Sequence, residues 1–159
     1  MIIALFVVPS AFAQTTLGIG WDNGYSIKFP VNPITLQVTG KFDSMIPEDD
    51  DEDTTTDVEI SAYVAYPVMD FSESKLNVFG GFSLLPSTRE ETIGFKTYDK
   101  ELDFGFRFGV EPEVMVTDKV GVSGKLGLEI MVDQGYDGLD DSGSTDIGSW
   151  GSIGLHWYF

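Results

Sequence analysis

The stretch Ser149-Trp150-Gly151-Ser152-Ile153-Gly154-Leu155-His156-Trp157-Tyr158-Phe159 decides the fold. From Gly151 to Phe159 its odd positions are apolar or glycine. Its even positions are Trp150, Ser152, Gly154, His156 and Tyr158. A period of two puts alternate side chains on opposite faces of an extended chain, so this is a strand with one greasy face. Such a strand closing on a bare Phe gains little in water. It gains where an aromatic belongs at a membrane interface.

The same alternation recurs upstream. Seven further runs are Thr15–Asp22, Tyr25–Val31, Ile34–Asp43, Val58–Met69, Leu76–Leu85, Phe104–Val116 and Val120–Val132. Asp22-Asn23-Gly24 joins the first two, and Asn-Gly is the strongest short hairpin signal. Asn32-Pro33, Asp70 to Lys75 and Thr117-Asp118-Lys119 are short connections. Ser44–Asp57, Pro86–Asp103 and Asp133–Gly148 are long ones. Pro112 lies inside its run, where a bulge would accommodate the missing ladder donor. The first two runs are shorter than the ~9–11 residues a bilayer-spanning strand needs, so the wall is expected to be low there.

One face of these runs is uncharged and rich in Ile, Val, Leu and Phe. The other carries Lys28, Lys41, Arg107 and Lys125 with Glu59, Glu111, Glu113 and Glu129, among Ser, Thr, Asn and Gln. An antiparallel sheet that closes on itself leaves no unpaired edge, as a bilayer requires. The uncharged face has too much aromatic volume for an eight-stranded interior, which is just wide enough for side chains. The glycine-bearing polar face suits that interior. The expected fold is therefore an all-β, eight-stranded, antiparallel, up-and-down transmembrane β-barrel, with the charged set forming an interior network that plugs it. A soluble lipocalin-like binding barrel is the inverse arrangement of the same pattern.

Here the sequence resembles the outer-membrane β-barrel family, in particular the small OmpA/OmpX/OmpW-type barrels. The resemblance rests on architecture and on Ile153, Leu155, Trp157 and Phe159, with Gly151 a weaker fit. That family's assembly signal is a terminal Phe with apolar residues at every second position before it. The resemblance implies location in the bacterial outer membrane, contact with its lipid, and recognition of the last strand by the barrel-assembly machinery. It also implies short periplasmic turns alternating with longer outside loops, which all but the first connection obey. An even number of strands returns Phe159 to the periplasmic side.

Composition bounds the rest. The 159 residues suffice for one domain, and the absence of cysteine removes disulfide and thiolate chemistry. A net charge of -17 argues against nucleic acid as a partner. Mean hydropathy is nevertheless +0.02, so the charge must be concentrated in a few segments. Residues 1–13, MIIALFVVPSAFA, end in an A-x-A site and are expected to be a signal peptide, possibly truncated at its start, leaving 14–159 as the barrel.

Three features could carry chemistry. Asp49, Asp50, Asp51 and Asp53 lie in an acidic run that could bind a divalent cation weakly, although such runs are more often solvated loop tips. Asp133, Asp137, Gly138 and Asp140 do not complete an EF-hand pattern, because Gly135 replaces a ligand and no Glu closes the loop. His156, the only histidine, shares a face with Ser152. Some eight-stranded outer-membrane barrels modify lipid A, but His156 sits at the wrong end for outer-leaflet chemistry and reads as part of the plug. No cofactor is called for. The expected protein is monomeric and non-enzymatic, and acts in envelope structure or surface interaction through acidic loops. A narrow solute channel and a lipid A-modifying enzyme are the rivals.

Overall fold

The computed structural model describes residues 17–45, 54–93, 95–133 and 144–159. The segment expected to be a signal peptide lies outside them. Eight strands follow one another in order: β1 (Gly18–Asp22), β2 (Tyr25–Val31), β3 (Ile34–Met45), β4 (Thr54–Asp70), β5 (Ser74–Ile93), β6 (Phe95–Thr117), β7 (Val120–Val132) and β8 (Thr145–Tyr158). Each pairs antiparallel with its neighbours in sequence, and β1 pairs with β8 to close the barrel.

The local sequence explains the turns. Asn23 takes φ 53° and Gly24 φ 150°, both in a region that Asn and Gly tolerate best. The Asp22 amide donates to the Gly24 carbonyl across this turn at 2.8 Å. Asn32-Pro33 supplies a two-residue turn with a cis peptide bond. At Asp118-Lys119 the Thr117 hydroxyl accepts from the backbone amides of Lys119 and Val120.

Two expectations about the strands require correction. Pro86–Asp103 is not a loop. The β5–β6 ladder runs on without interruption from Pro86↔Leu102 to Ile93↔Phe95. Ser44 and Thr54–Asp57 likewise belong to β3 and β4, and part of Asp133–Gly148 is the start of β8. Backbone pairing needs no apolar alternation, so the strands outrun the greasy pattern that announced them. Nor is there a bulge at Pro112. The β6–β7 register is the same on either side of Glu111 and Pro112, from Val110↔Leu126 to Glu113↔Ser123. The register shifts fall instead between Pro67 and Met69 and between Met115 and Thr117.

The burial pattern is that of a protein turned inside out. Among the described residues only Tyr63, Ala65 and Phe79 are buried hydrophobics, whereas Lys28, Arg107, Lys125, Asp22, Glu111 and His156 are all buried. Ile19, Ile27, Phe29, Val64, Phe106, Phe108 and Leu128 face outward. In water that outer surface would cost far more than an ordinary protein could offset. Against hydrocarbon it costs nothing, so the membrane sense of the barrel holds and the soluble lipocalin-like sense does not.

Candidate functional site

Among the described residues, titratable groups converge in the barrel interior, as two ion-pair clusters joined by an aromatic layer. The first cluster centres on Lys28 of β2. Its Nζ donates to Glu111 Oε1 at 2.8 Å, to Glu113 Oε1 at 3.1 Å and to Ser123 Oγ at 3.4 Å. Tyr158 donates its hydroxyl to Glu113 at 2.5 Å, and Asn77 donates to Glu111 Oε2 at 3.4 Å. Lys125 of β7 binds Asp22 and lies 3.7 Å from Glu111, which links the two lysines through one carboxylate. Asp22 also accepts from Gln37 at 2.7 Å and from Ser152 at 2.6 Å.

The second cluster belongs to Arg107 of β6. Its guanidinium binds Glu59 and, through Nε at 2.5 Å, Glu129. It also donates to the Tyr63 hydroxyl at 3.0 Å. Glu59 is held in turn by Ser61 at 2.9 Å. Between the clusters, Tyr63 and Trp150 stack with ring centroids 5.9 Å apart, and Phe79 packs edge-on to both. Arg107 sits over the Trp150 ring at 4.7 Å and Lys125 over Tyr63 at 5.1 Å, so each cation meets an aromatic face. Long side chains fill the lumen from opposite walls, and glycines such as Gly18, Gly81 and Gly105 leave them room.

Seven of the eight residues expected in this network are there. Lys41 is the correction: it lies at the outer rim with its side chain 42 % exposed, 3.6 Å from Asp43. The network gains Asp22 instead, an acid that the sequence presented only as a hairpin residue. The interior therefore holds Lys28, Arg107 and Lys125 against Asp22, Glu59, Glu111, Glu113 and Glu129. Tyr158, Asn77, Gln37 and the serines supply the hydrogen bonds that the surplus carboxylates need. Gln37 lies on the polar inward face, as its parity predicts, bonded to Asp22 and Ser26. Asp22 and Tyr63 were missed because one closes its run at the hairpin and the other is an aromatic on the polar face; only their alternation with outward residues could have placed them inside.

His156 is where a nucleophilic site would have to be. Its Nε2 lies 2.9 Å from Ser26 Oγ rather than beside Ser152, and both residues are only 1 % exposed. Ser26 also receives a hydrogen bond from Gln37 at 2.7 Å. No partner binds His156 Nδ1 among the described residues. A serine nucleophile needs a base that a third group orients, and it needs substrate access. This pair has neither.

The candidate metal ligands Asp49, Asp50, Asp51 and Asp53 lie outside the described residues, as do Asp137, Gly138 and Asp140. Among the described residues no three metal-ligating side chains come together. Ile153, Leu155 and Trp157 of β8, and Phe159 just past its end, are all exposed on the outside of the barrel.

No family model matches the chain, and no curated protein matches it by sequence. Solved structures do match. Neisserial surface protein A superposes with a TM-score of 0.50 at 15% identity, covering 91% of this chain and 93% of that one. A major outer membrane protein from Thermus thermophilus gives 0.52 at 14% identity, with 91% and 97% covered. Ail, the attachment invasion locus protein of Yersinia pestis, gives 0.51 at 10% identity, also with 91% and 97% covered. The fold of this chain is that of the small eight-stranded outer-membrane β-barrels.

Proposed function

We propose that the chain is an integral protein of the bacterial outer membrane, a monomeric plugged barrel that serves envelope structure or surface interaction and carries out no chemical step. The observation that carries this reading is the filled lumen. Two ion-pair clusters and a stacked aromatic layer occupy the space a pore would need, and Lys28, Arg107 and Lys125 each have a carboxylate partner. A buried charge left unpaired would be costly, so such a network resists being pulled open for solute passage. Among the described residues the Ser26–His156 pair has no orienting acid, and both side chains are buried in the barrel interior, which speaks against the lipid-modifying alternative.

The protein's working surface is then its outer rim. β5 and β6 continue as a paired ribbon to Ile93 and Phe95, well past the short β1–β2 hairpin. The described ends of β3, β4, β7 and β8 nearest the acidic segments lie at this same end. Under this reading the outward residues Ile153, Leu155, Trp157 and Phe159 serve twice, as lipid contacts and as the stripe the barrel-assembly machinery recognises.

Planar-bilayer recording of the refolded protein tests the plug. The expected result is no stable conductance step. Steady, well-defined openings would favour the narrow channel, which the surplus of interior carboxylates would make cation-selective.

A further inference from the structure

The seam that closes the barrel, between β1 and β8, is short. It runs from Gly18↔Tyr158 to Asp22↔Gly154, whereas β7 and β8 pair from Val120↔Trp157 to Val132↔Thr145. The Asn23-Gly24 turn ends the seam on one side. On the other, the Phe159 amide donates to the Leu17 carbonyl at 3.0 Å.

The two faces of β1 add little to this ladder. Outside, Ile19 sits opposite Trp157 and Trp21 opposite Leu155, and all four are about half exposed. Against lipid such pairs gain little, because hydrocarbon replaces the contacts they lose on parting. Inside, β1 presents Gly18, Gly20 and Asp22. A Cβ added at Gly20 would collide with the Leu155 carbonyl oxygen, and one at Gly18 would fall 2.7 Å from the Tyr158 ring. β1 therefore lies too close to β8 for a larger residue at either glycine. Within β1, Asp22 is the one side chain that reaches into the interior.

That side chain grips three other strands. Its Oδ1 accepts from Ser152 of β8 at 2.6 Å. Its Oδ2 accepts from Gln37 of β3 at 2.7 Å and from Lys125 of β7. On β2, the Ser26 hydroxyl lies 2.9 Å from His156 of β8, and Gln37 donates to it at 2.7 Å. Lys28 of β2 extends the grip to Glu111 and Glu113 of β6. The Arg107 cluster, by contrast, ties β6 to β4 and β7 and leaves the hairpin alone.

We infer that the β1–β2 hairpin is a lateral flap and that Asp22 is the latch holding it against β8. Loss of the Asp22 charge frees Ser152, Lys125 and Gln37 together. The wall then parts first at Asp22↔Gly154, and the lumen opens sideways rather than along the barrel axis. That this opening faces lipid rests on the outer-membrane reading above; the latch itself needs only the closed barrel.

The test is backbone amide exchange, read residue by residue on the full-length protein folded in detergent micelles. Micelles keep the two readings separable, because the seam can be followed there even if the membrane reading fails. Exchange distinguishes local opening from global unfolding. In Asp22→Asn, the amides of β1 and of Leu155–Trp157 that bond across the seam should exchange at least about tenfold faster, as loss of a charged hydrogen-bond partner predicts. In Arg107→Met they should stay within about twofold of wild type, because local opening leaves the Arg107 cluster intact. Amides of the β5–β6 ladder should quicken in both variants. Seam amides that quicken in both would mean that β1 and β8 part only on global unfolding, which would overturn the flap. Seam amides indifferent to Asp22→Asn would overturn the latch. Ser152→Ala removes one partner alone and covers the case in which Asp22→Asn does not fold. It should give a rise of about threefold, and no rise would count equally against the latch. The place of opening is fixed by Ile19→Cys with Trp157→Cys, directly opposite each other in a chain without cysteine. Closing that disulfide should cancel the effect of Asp22→Asn on the seam. An undiminished effect would move the opening elsewhere in the wall and overturn the seam.

Discussion

Replacing Arg107 by methionine should destabilise the folded barrel by about 3–4 kcal/mol without preventing its insertion. Among the described residues Arg107 is the only cation of its cluster, and it binds both Glu59 and Glu129. Methionine keeps much of the volume but leaves two carboxylates facing each other with no counter-charge. Breaking a buried pair in this way costs about 3–5 kcal/mol. The Glu59 and Glu129 side chains retain 16 % and 17 % exposure, so water can reach them in part and the cost falls toward the lower end. Loss of the cation over Trp150 adds about 0.5–1 kcal/mol. The triple variant Arg107→Met, Glu59→Gln, Glu129→Gln removes the orphaned charges and should recover most of the loss. The outer face is the same in both variants, so the yield of inserted protein should match wild type. Urea unfolding in lipid vesicles, followed by tryptophan fluorescence and extrapolated linearly, reads the difference. A loss below about 1 kcal/mol for the single variant, or a triple variant no better than the single, would refute the pairing argument.

The same geometry sets three further outcomes. Phe106→Arg places a charge on the lipid face beside the inward Arg107 and should cost about 2–4 kcal/mol if it lies near mid-bilayer, measured by the same unfolding series. Asp22→Asn takes the charged acceptor from Lys125, leaving that lysine only Glu111 at 3.7 Å, and should lower stability by about 1.5–3 kcal/mol; a neutral effect would mean the hairpin acid is dispensable. Gly127→Ala brings a methyl against the Phe108 carbonyl on the facing strand and should cost about 1–3 kcal/mol, whereas Gly124→Ala, whose nearest neighbour is 3.9 Å away, should be close to neutral in the same assay.

A strand's alternation is a local property, because each residue's face follows from its neighbours along the chain. That is why eight strands, their antiparallel order, the Asn23-Gly24 turn and the identity of the greasy face were all legible in the linear sequence. Inversion of the barrel was legible too, since aromatic volume and long charged side chains compete for one narrow interior. What a local pattern cannot carry is register and stagger. Asp22 meets Lys125 across 103 positions, and Ser26 meets His156 across 130, because closure and tilt bring particular heights of distant strands together. The same stagger leaves Lys41 at the rim, although it occupies the inward parity that placed Lys28 and Lys125 in the core. The reach of β5 and β6 beyond the belt was hidden for a related reason. Past the hydrocarbon no face needs to be greasy, so the ladder continues on backbone hydrogen bonds that leave no periodic trace in side-chain chemistry. The difference in strand height is likewise tertiary. A short first hairpin could be read from the runs Thr15–Asp22 and Tyr25–Val31, but how far β3 and β8 rise above it is visible only when they stand on either side.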